Sequence, residues 1–284
     1  MDVISTIGFE PSANLQGYHL AGQARPRPNR KKIMSAKITR KPAGTVALGT
    51  GGSRSIGAAI AKRLAADGAA VALTYNASPA KADEVVRSIK AAGGKALAIK
   101  ADAADTEAVR LAVAKTIGTF EGIDILVNNA GVIALAPIEQ FSLDDFEKLI
   151  AVNVRGLFVA TQEAARHLRE GGRIIHIGST FSERMPFAGA AVYSLTKGAV
   201  AGFTKGLARD LGPRGITVNN VQPGMIDTDM NPADTDLARD SIRHIALQRY
   251  GCTDEIAGFV AFLASSEASY ITGASLLADG GWAA

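Results

Sequence analysis

The sequence predicts an α/β protein built on a doubly wound, seven-stranded, mainly parallel sheet with helices on both faces. Three observations predict this fold. After Pro42, short aliphatic runs alternate with longer alanine-rich stretches of helical spacing, as in repeated βαβ units. The short runs are apolar throughout, which is typical of parallel strands buried between two helix layers. The alternation fills residues 44–284, so we predict a single domain there.

Taken in order, the strands are predicted where β-branched and aliphatic residues cluster, and the helices where apolar residues recur at a spacing of three to four. The predicted strands are residues 45–49, 70–75, 95–100, 123–127, 173–178, 216–221 and 275–278. The predicted helices are residues 55–67, 80–92, 106–120, 143–168, 190–211 and 254–264, with a further helix within 235–245. Ligands of such sheets bind outside the carboxyl ends of the strands, so we expect the chemistry in the loops that follow them.

The formal net charge of +4 lies in the amino-terminal part of the chain. Residues 1–43 hold 8 of the 31 Lys and Arg residues and only 2 of the 27 acidic residues, so residues 44–284 are slightly acidic. We predict that residues 1–43 form a flexible basic extension. A protein that binds a phosphate backbone needs a cationic folded surface, so no nucleic-acid partner is expected.

Cysteine content and hydropathy narrow the setting of the protein. Cys252 is the only cysteine, so neither an intrachain disulfide nor a cysteine metal site can form. The longest apolar run, residues 256–264, is far shorter than the roughly 18 residues that span a bilayer. The amino terminus lacks a secretory signal pattern. We therefore expect a cytoplasmic protein with no membrane partner, and we predict no metal site, since the aspartates of residues 227–240 lack a calcium-loop spacing.

A glycine-rich turn, Thr-Gly-Gly-Ser-Arg-Ser-Ile-Gly at residues 50–57, joins the first predicted strand to the first predicted helix. Its backbone N–H groups and the positive end of the helix suit a pyrophosphate. Gly51 permits the tight turn, and Gly57 allows close packing of the helix on the sheet. Ser55 is of a type favoured as a helix N-cap, and we expect it to cap this helix. Taken alone, the segment also fits an ordinary glycine-rich loop.

Tyr193 and Lys197 are four residues apart in a predicted helix and so share one face. A cation beside a phenol favours the phenolate, which lowers the phenol pKa from about 10. We therefore expect Lys197 to make Tyr193 more acidic. Such a pair is common by chance on exposed helix faces, where it has no chemical role.

Six elements in order make this chain resemble the short-chain dehydrogenase/reductase family, and in general appearance the 3-oxoacyl-acyl-carrier-protein reductases. The elements are the turn at 50–57, Asp102, Asn128-Asn129-Ala130-Gly131, Asn153, Ser179 with Tyr193 and Lys197, and Pro223-Gly224. The resemblance implies a Rossmann-like domain that transfers a hydride from a nicotinamide to a carbonyl carbon. It also implies roles for four residues: Tyr193 as general acid, Ser179 as hydrogen-bond donor to the carbonyl, Lys197 as partner of the phenol and ribose, and Asn153 as holder of a relay water.

The same resemblance implies the cofactor contacts. They are Gly51, Ser53, Arg54, Ser55, Ile56, Tyr75, Asn76, Asp102, Ala103, Asn129, Ala130, Gly131, Pro223, Gly224, Ile226 and Thr228. Residue 55 departs from the family pattern, because serine stands there in place of glycine. No acidic residue ends the second strand to accept a ribose hydroxyl, and Arg54 can pair with a 2′-phosphate. We therefore predict NADPH as cofactor, in preference to NADH.

The resemblance places the substrate loop at residues 225–250, where no fixed charge is dedicated to a small acid, so we expect a ketone or a 3-oxoacyl thioester. An alternative is a cyclic-di-GMP-binding, biofilm-dispersal branch of the family, which residues 184–189 and 222–229 resemble. The joint presence of the four catalytic residues favours the enzyme. The family commonly forms homotetramers, and a homotetramer or homodimer is expected here. A start at Met34 would give 251 residues, the usual family size.

Overall fold

The structure is a computed structural model that describes residues 43–284, except for the side chain of Leu237. The predicted basic extension up to residue 42, and the alternative start at Met34, lie outside the described residues.

Seven parallel strands form one sheet in the order β3-β2-β1-β4-β5-β6-β7. The strands are β1 (Val46–Gly49), β2 (Ala70–Tyr75), β3 (Lys95–Lys100), β4 (Ile123–Asn128), β5 (Leu168–Ile177), β6 (Thr217–Pro223) and β7 (Ser275–Ala278). Every pairing is parallel, which confirms the predicted fold class. Strand β5 begins earlier than predicted, because Leu168 pairs with Ile123 before an irregular register that resumes at Arg173.

The helices of the described chain are α1 (Ser55–Ala66), α2 (Pro79–Ala91), α3 (Thr106–Phe120), α4 (Leu143–Ile150), α5 (Leu157–His167), α6 (Ala191–Leu211), α7 (Asp236–Ile242) and α8 (Thr253–Ala264). The prediction of one α-helix over residues 143–168 was wrong. A π-helical segment, Ala151–Gly156, separates α4 from α5. Such segments often occur at functional sites, and this one contains Asn153. Residue 156 of this segment is a glycine because a Cβ at that position would lie only 2.1 Å from the carbonyl oxygen of Ala103.

Alternate residues of the strands enter two separate apolar layers, as the period of two requires. On one face, Leu73 and Val127 pack with α1, α2 and α8 through residues such as Leu64 and Val260. On the other face, residues of the same strands pack with α3, α5 and α6; this layer includes Leu48, Leu126, Val113, Ala164 and Leu211. The sheet is therefore buried on both faces, as its apolar strands predict.

Strand β1 lies between β2 and β4, and this is the point where the strand order reverses. The chain leaves β1 through α1 to reach β2 on one side, whereas β4 is reached later on the other side. The loops that follow β1 and β4 therefore diverge and leave a crevice between them. In doubly wound sheets this crevice is the usual ligand site.

The close packing of Gly57 against Gly51 and Asn129 can be tested by mutation. A Cβ at Gly57 would lie 2.2 Å from the carbonyl oxygen of Gly51 and 2.5 Å from Asn129 Nδ2. Gly57→Ala should lower the free energy of unfolding by roughly 1–3 kcal/mol, the usual cost of overpacking. The matched control is Gly118→Ala on α3, where no atom lies within 4 Å of the added Cβ. It should raise stability by about 0.5–1 kcal/mol, since alanine is the better helix former. Urea denaturation measures both, and equal stability of the two variants would contradict this packing.

Candidate active site

The turn after β1 is fastened to the end of β4 by side chain–backbone hydrogen bonds. Asn129 Nδ2 donates to the carbonyl oxygens of Thr50 (3.0 Å) and Gly51 (2.9 Å). In return, Thr50 Oγ1 accepts from the backbone N–H groups of Asn129 and Ala130, each at 3.0 Å. Thr74 Oγ1 on β2 accepts the N–H of Gly51 at 3.1 Å. The turn is thus held from both neighbouring strands.

The start of α1 carries no side-chain cap, and the expectation that Ser55 caps it was wrong. Arg54 occupies the N-cap position, and Ser55 is the first helical residue, with φ of +49°. A left-handed φ favours glycine and costs other residues about 1 kcal/mol. The Ser55 hydroxyl accepts the N–H of Asp229 at 3.3 Å, so it does not bond to the first turn. The first N–H groups of α1, those of Ser55 and Ile56 included, therefore remain open to an anion, with Ser53 partly buried beside them.

Four predicted cofactor contacts, Tyr75, Asn76, Asp102 and Ala103, meet where β2 and β3 end. Asn76 Nδ2 donates to Asp102 Oδ2 at 2.8 Å, and Asp102 Oδ1 accepts the N–H of Ala104 at 2.9 Å. The carbonyl oxygen of Tyr75 accepts from Ala101 at 2.8 Å. Ala103 lies next along the chain, against Gly156 of the π-helical segment. The sequence places these residues together because parallel strands end at the same edge.

Ser179, Tyr193 and Lys197 meet beyond the carboxyl end of β5. Tyr193 lies in the first turn of α6 and is hydrogen-bonded to the Ser179 side chain. Lys197 Nζ donates to the carbonyl oxygen of Ile177 at 3.0 Å and lies 5.7 Å from the centre of the Tyr193 ring. Ser179 Oγ accepts the N–H of Phe181 at 3.2 Å. The helical interval of four residues thus brings the lysine beside the phenol ring.

Asn153 joins this group from the π-helical segment. Its Oδ1 accepts the N–H of Val132 at 2.9 Å, and its Nδ2 donates to the Val132 carbonyl at 2.9 Å and to Thr196 Oγ1 at 3.2 Å. A Cβ at Gly131 would lie 3.5 Å from Asn153 Oδ1 and 3.6 Å from Lys197 Nζ. The end of β4 therefore borders both side chains at once.

The remaining predicted contacts follow β6. Gly224 donates its N–H to the carbonyl oxygen of Ala278 at 3.1 Å, and a Cβ there would lie 2.6 Å from that of Asp279. Pro223 ends the buried strand. Ile226 is buried and pairs with Gly251, and Thr228 pairs with Asn231 in a small turn. Gly224 thus holds the entry to the 225–250 segment against Ala278 and Asp279, and the Ile226–Gly251 pair joins the two ends of that segment.

Comparison with known proteins identifies the family. A family model described as enoyl-(acyl carrier protein) reductase matches residues 49–283. A short-chain dehydrogenase/reductase from Serratia marcescens has a solved structure that is 59% identical, with a TM-score of 0.85, and the match covers 85% of this chain and 99% of that one. This chain belongs to the short-chain dehydrogenase/reductase family.

Other members of the short-chain dehydrogenase/reductase family differ in what they do. A cyclic-di-GMP-binding biofilm dispersal mediator protein of Escherichia coli is 45% identical, covering 85% of this chain and 98% of that protein. A 3-oxoacyl-[acyl-carrier-protein] reductase of Synechocystis is 41% identical, covering 83% and 96%. A Burkholderia cenocepacia short-chain dehydrogenase, solved in complex with NADP, is 53% identical with a TM-score of 0.85, covering 86% and 100%.

Burial controls the ionisation of this short-chain dehydrogenase/reductase site. It raises the pKa of Tyr193 to about 12, although the hydrogen bond with Ser179 acts in the opposite direction. The net shift of the Tyr193 pKa is therefore upward, opposite to the acidification expected from Lys197, because burial of the phenol outweighs the hydrogen bond with Ser179. Burial also lowers the pKa of Lys197 to about 8. Burial, and secondarily the charge of Lys197, lowers the pKa of His176 to about 3, so this interior histidine is neutral near pH 7.

Several residues of the site escaped the sequence analysis. Thr50 and Phe181 carry weak signals, being adjacent to Gly51 and two residues after Ser179. The Phe181 ring lies edge-on to Tyr193 with centroids 6.0 Å apart. Asp229 Oδ2 accepts from Lys81 Nζ at 2.9 Å and lies 3.4 Å from an Arg54 nitrogen. Lys81 lies shortly after the carboxyl end of β2. This position could have indicated that Lys81 belongs to the site, because the loops at this edge of the sheet carry ligands.

The described residues also bear on metal and membrane partners. Within residues 43–284 no group of three or more His, Cys, Asp or Glu side chains is placed to hold a metal ion. No helix in this range is both long and apolar enough to cross a membrane.

The lowered pKa of Lys197 predicts a pH-dependent stability. Lys197→Met should raise the free energy of unfolding near neutral pH by at most about 3 kcal/mol, since the pKa falls from 10.5 to about 8 and one unit is worth about 1.4 kcal/mol. A base with a lowered pKa in the folded state destabilises that state fully below the folded pKa. The cost disappears as pH rises from about 8 to 10.5, so the advantage of the variant should shrink across that range.

Urea denaturation at several pH values measures this difference. The control is Lys90→Met, which removes an exposed lysine of α2 and should change stability little at any pH. If the free energies of unfolding of Lys197→Met and the native chain differed by a constant amount across this pH range, the pKa of Lys197 would not be lowered in the folded state.

Proposed function

We propose that this chain is an NADPH-dependent carbonyl reductase that converts a ketone or a 3-oxoacyl thioester to the alcohol. The observation that carries the proposal is the convergence of Ser179, Tyr193, Lys197 and Asn153 at the ends of β4 and β5, beside the uncapped start of α1. A proton donor and an anion-binding turn are both needed for nicotinamide-dependent reduction, and here they share one crevice.

The crevice fits a dinucleotide. The uncapped turn at residues 50–57 suits the pyrophosphate, because its N–H groups are open and Gly57 leaves no room for a side chain. Asn76 and Asp102 suit the adenosine, and Pro223-Gly224 the nicotinamide. Arg54 is exposed on the turn and suits a 2′-phosphate. The NADP complex of the Burkholderia relative supports this choice. When bound, the reduced nicotinamide supplies the hydride.

Tyr193 then protonates the carbonyl oxygen of the substrate. A pKa of about 12 keeps the phenol protonated near neutral pH, which is the form that a general acid needs. Ser179 Oγ accepts the N–H of Phe181 and lies beside the phenol, so its hydroxyl can donate to the substrate oxygen that becomes negative in the transition state. Both donors thus act on the same substrate atom.

Lys197 and Asn153 complete the proton supply. The ammonium of Lys197, buried and fixed on the Ile177 carbonyl, stabilises the charge that Tyr193 acquires when it gives up its proton. Its pKa near 8 allows it to release a proton in turn. We propose that Asn153, beside Gly131 and Lys197, holds the water that links the lysine to solvent.

The wall next to the phenol is apolar, which favours a neutral carbonyl compound. Phe181 contacts Tyr193 on one side and on the other packs on a cluster that contains Met225, Tyr250 and Trp282. This cluster lies largely within residues 225–250, which we propose as the substrate loop. A ketone or an acyl chain would bury apolar surface against this wall.

A second candidate is cyclic-di-GMP binding, supported by the 45% identity to the E. coli dispersal mediator. Arg184 is the cation of the segment that suggested this function. Its guanidinium donates to the Trp282 carbonyl and lies 5.9 Å from the Trp282 ring centre. Arg184 is thus engaged within the chain, and the grouping of Ser179, Tyr193 and Lys197 supports the reductase as the first candidate.

Removal of one hydroxyl tests the reductase. Tyr193→Phe should lower kcat for NADPH-dependent reduction of a responsive ketone by roughly 10²–10⁴-fold, the usual contribution of a general acid, while NADPH still binds. Tyr270→Phe changes a fully exposed tyrosine and should leave kcat unchanged. A stopped assay over a panel of ketones and 3-oxoacyl thioesters, with parallel fluorescence titration of NADPH, gives both values. Turnover retained in Tyr193→Phe would refute the role, and cyclic-di-GMP binding without reduction of any carbonyl would favour the second candidate.

Cofactor choice is tested at the turn. Arg54→Gln should weaken NADPH binding about tenfold and leave NADH binding within about twofold, because a charge-assisted contact to the 2′-phosphate is lost. Arg63→Gln on α1, whose guanidinium pairs with Asp67, is the matched control and should affect neither. Fluorescence titration of both nucleotides measures the ratio. A parallel loss of NADPH and NADH affinity in Arg54→Gln would place Arg54 elsewhere than at the 2′-phosphate.

A further inference from the structure

Two cations from separate loops converge on one carboxylate at the mouth of the crevice. Asp229 Oδ2 lies 2.9 Å from Lys81 Nζ and 3.4 Å from an Arg54 guanidinium nitrogen. Lys81 belongs to the first turn of α2, Arg54 to the glycine-rich turn, and Asp229 to the 225–250 segment. The two cations are therefore spaced to share a single anionic oxygen.

This ion pair is open to displacement. The three side chains retain 44%, 55% and 45% of their surface for Arg54, Lys81 and Asp229. Exposed ion pairs are weak, whereas a phosphate dianion forms shorter, charge-assisted bonds with the same cations. The hydrogen bond from Lys81, with the smaller effect of Arg54, lowers the pKa of Asp229, so its carboxylate stays charged and competes as an anion near neutral pH.

The backbone of Asp229 is tied to the same turn. Its N–H donates to Ser55 Oγ at 3.3 Å, so the segment that follows β6 contacts the glycine-rich turn through both backbone and side chain. The backbone contact does not require the carboxylate. A dianion can therefore replace the carboxylate on the two cations while the backbone of the segment stays in place.

We propose that Lys81 is a second cation of the 2′-phosphate subsite, and that the Asp229 carboxylate is the anion that a bound 2′-phosphate displaces. This inference rests on the proposed binding of NADPH at Arg54. Two consequences follow from shared cations. Loss of Lys81 weakens ligands that carry a 2′-phosphate and spares those that lack it. Neutralisation of Asp229 strengthens the same ligands, because the internal competitor is removed.

Calorimetric titration with 2′,5′-ADP and 5′-AMP tests both consequences without turnover, since these probes differ only in the 2′-phosphate and contain no nicotinamide. The native chain should bind 2′,5′-ADP more tightly. Lys81→Gln should reduce this preference about three- to tenfold, and Asp229→Asn should increase it about threefold, as expected for partly exposed charges. When Lys81→Gln and Asp229→Asn are combined, the gain in preference from Asp229→Asn should be smaller, because only one of the two cations that Asp229 contacts remains.

Matched controls separate a local contact from a change in net charge. Lys90→Gln removes an exposed lysine from the other end of α2, and Asp234→Asn removes an exposed carboxylate from the same segment as Asp229. Both variants should leave the preference for 2′,5′-ADP within about twofold, since exposed charges that do not contact the ligand are largely screened. All four substituted residues are exposed, so the variants should fold as the native chain does.

The outcomes distinguish this inference from the function on which it rests. If the native chain shows no preference for 2′,5′-ADP over 5′-AMP, the proposed NADPH dependence and this inference both fail. If the preference exists and falls in Arg54→Gln, but Lys81→Gln behaves as Lys90→Gln does, only the role of Lys81 is overturned. If Asp229→Asn weakens 2′,5′-ADP binding or leaves it unchanged, the carboxylate is not a competitor.

Discussion

The site depends on one interaction across the reversal of strand order, the reciprocal bonding of Thr50 and Asn129. Strands β1 and β4 send the chain to opposite faces of the sheet, so the loops that follow them tend to separate. Four bonds of 2.9–3.0 Å between these two residues and their neighbours Gly51 and Ala130 tie the loops together. Buried or half-buried backbone groups that would otherwise lack partners are satisfied by the same bonds. The crevice is therefore both open to a ligand and fixed in width.

The residues proposed to transfer protons, Asn153 and Lys197, lie against the same end of β4 that Asn129 holds in place. Gly131 lies two residues after Asn129, and the space at its α-carbon is bounded by Asn153 Oδ1 and Lys197 Nζ. The π-helical segment turns Asn153 toward Val132, while the backbone of β5 fixes Lys197 through the Ile177 carbonyl. A shift of β4 would therefore disturb the turn that suits the pyrophosphate and the proposed proton route together. The proposed anion site and the proposed acid catalyst are therefore held in place by the same hydrogen bonds.

The sequence predicted the strands, their parallel sheet and the grouping of the four residues proposed as catalytic, because these follow from local periodicity and from the common edge of parallel strands. It did not predict the break in helix 143–168, since apolar periodicity averages over a six-residue π-helical segment. The left-handed backbone of Ser55 was not predicted, because residue type alone suggested an N-cap, whereas Arg54 occupies that position and the Ser55 hydroxyl contacts Asp229. Lys81 and Asp229 are 148 residues apart, and no local pattern reports such a pair.

Lys197 is buried, whereas Arg54 and Lys81 are partly exposed, and this difference suits the three cations to different roles. Lys197 is almost fully buried, and desolvation lowers its pKa to about 8, whereas the same effect raises that of Tyr193 to about 12. Below about pH 8 the lysine and the phenol are therefore both protonated, and as the pH rises above 8 the lysine loses its proton before the phenol does. Arg54 and Lys81 lie half in solvent, where charge is screened, and this suits them to selecting a ligand and not to moving a proton.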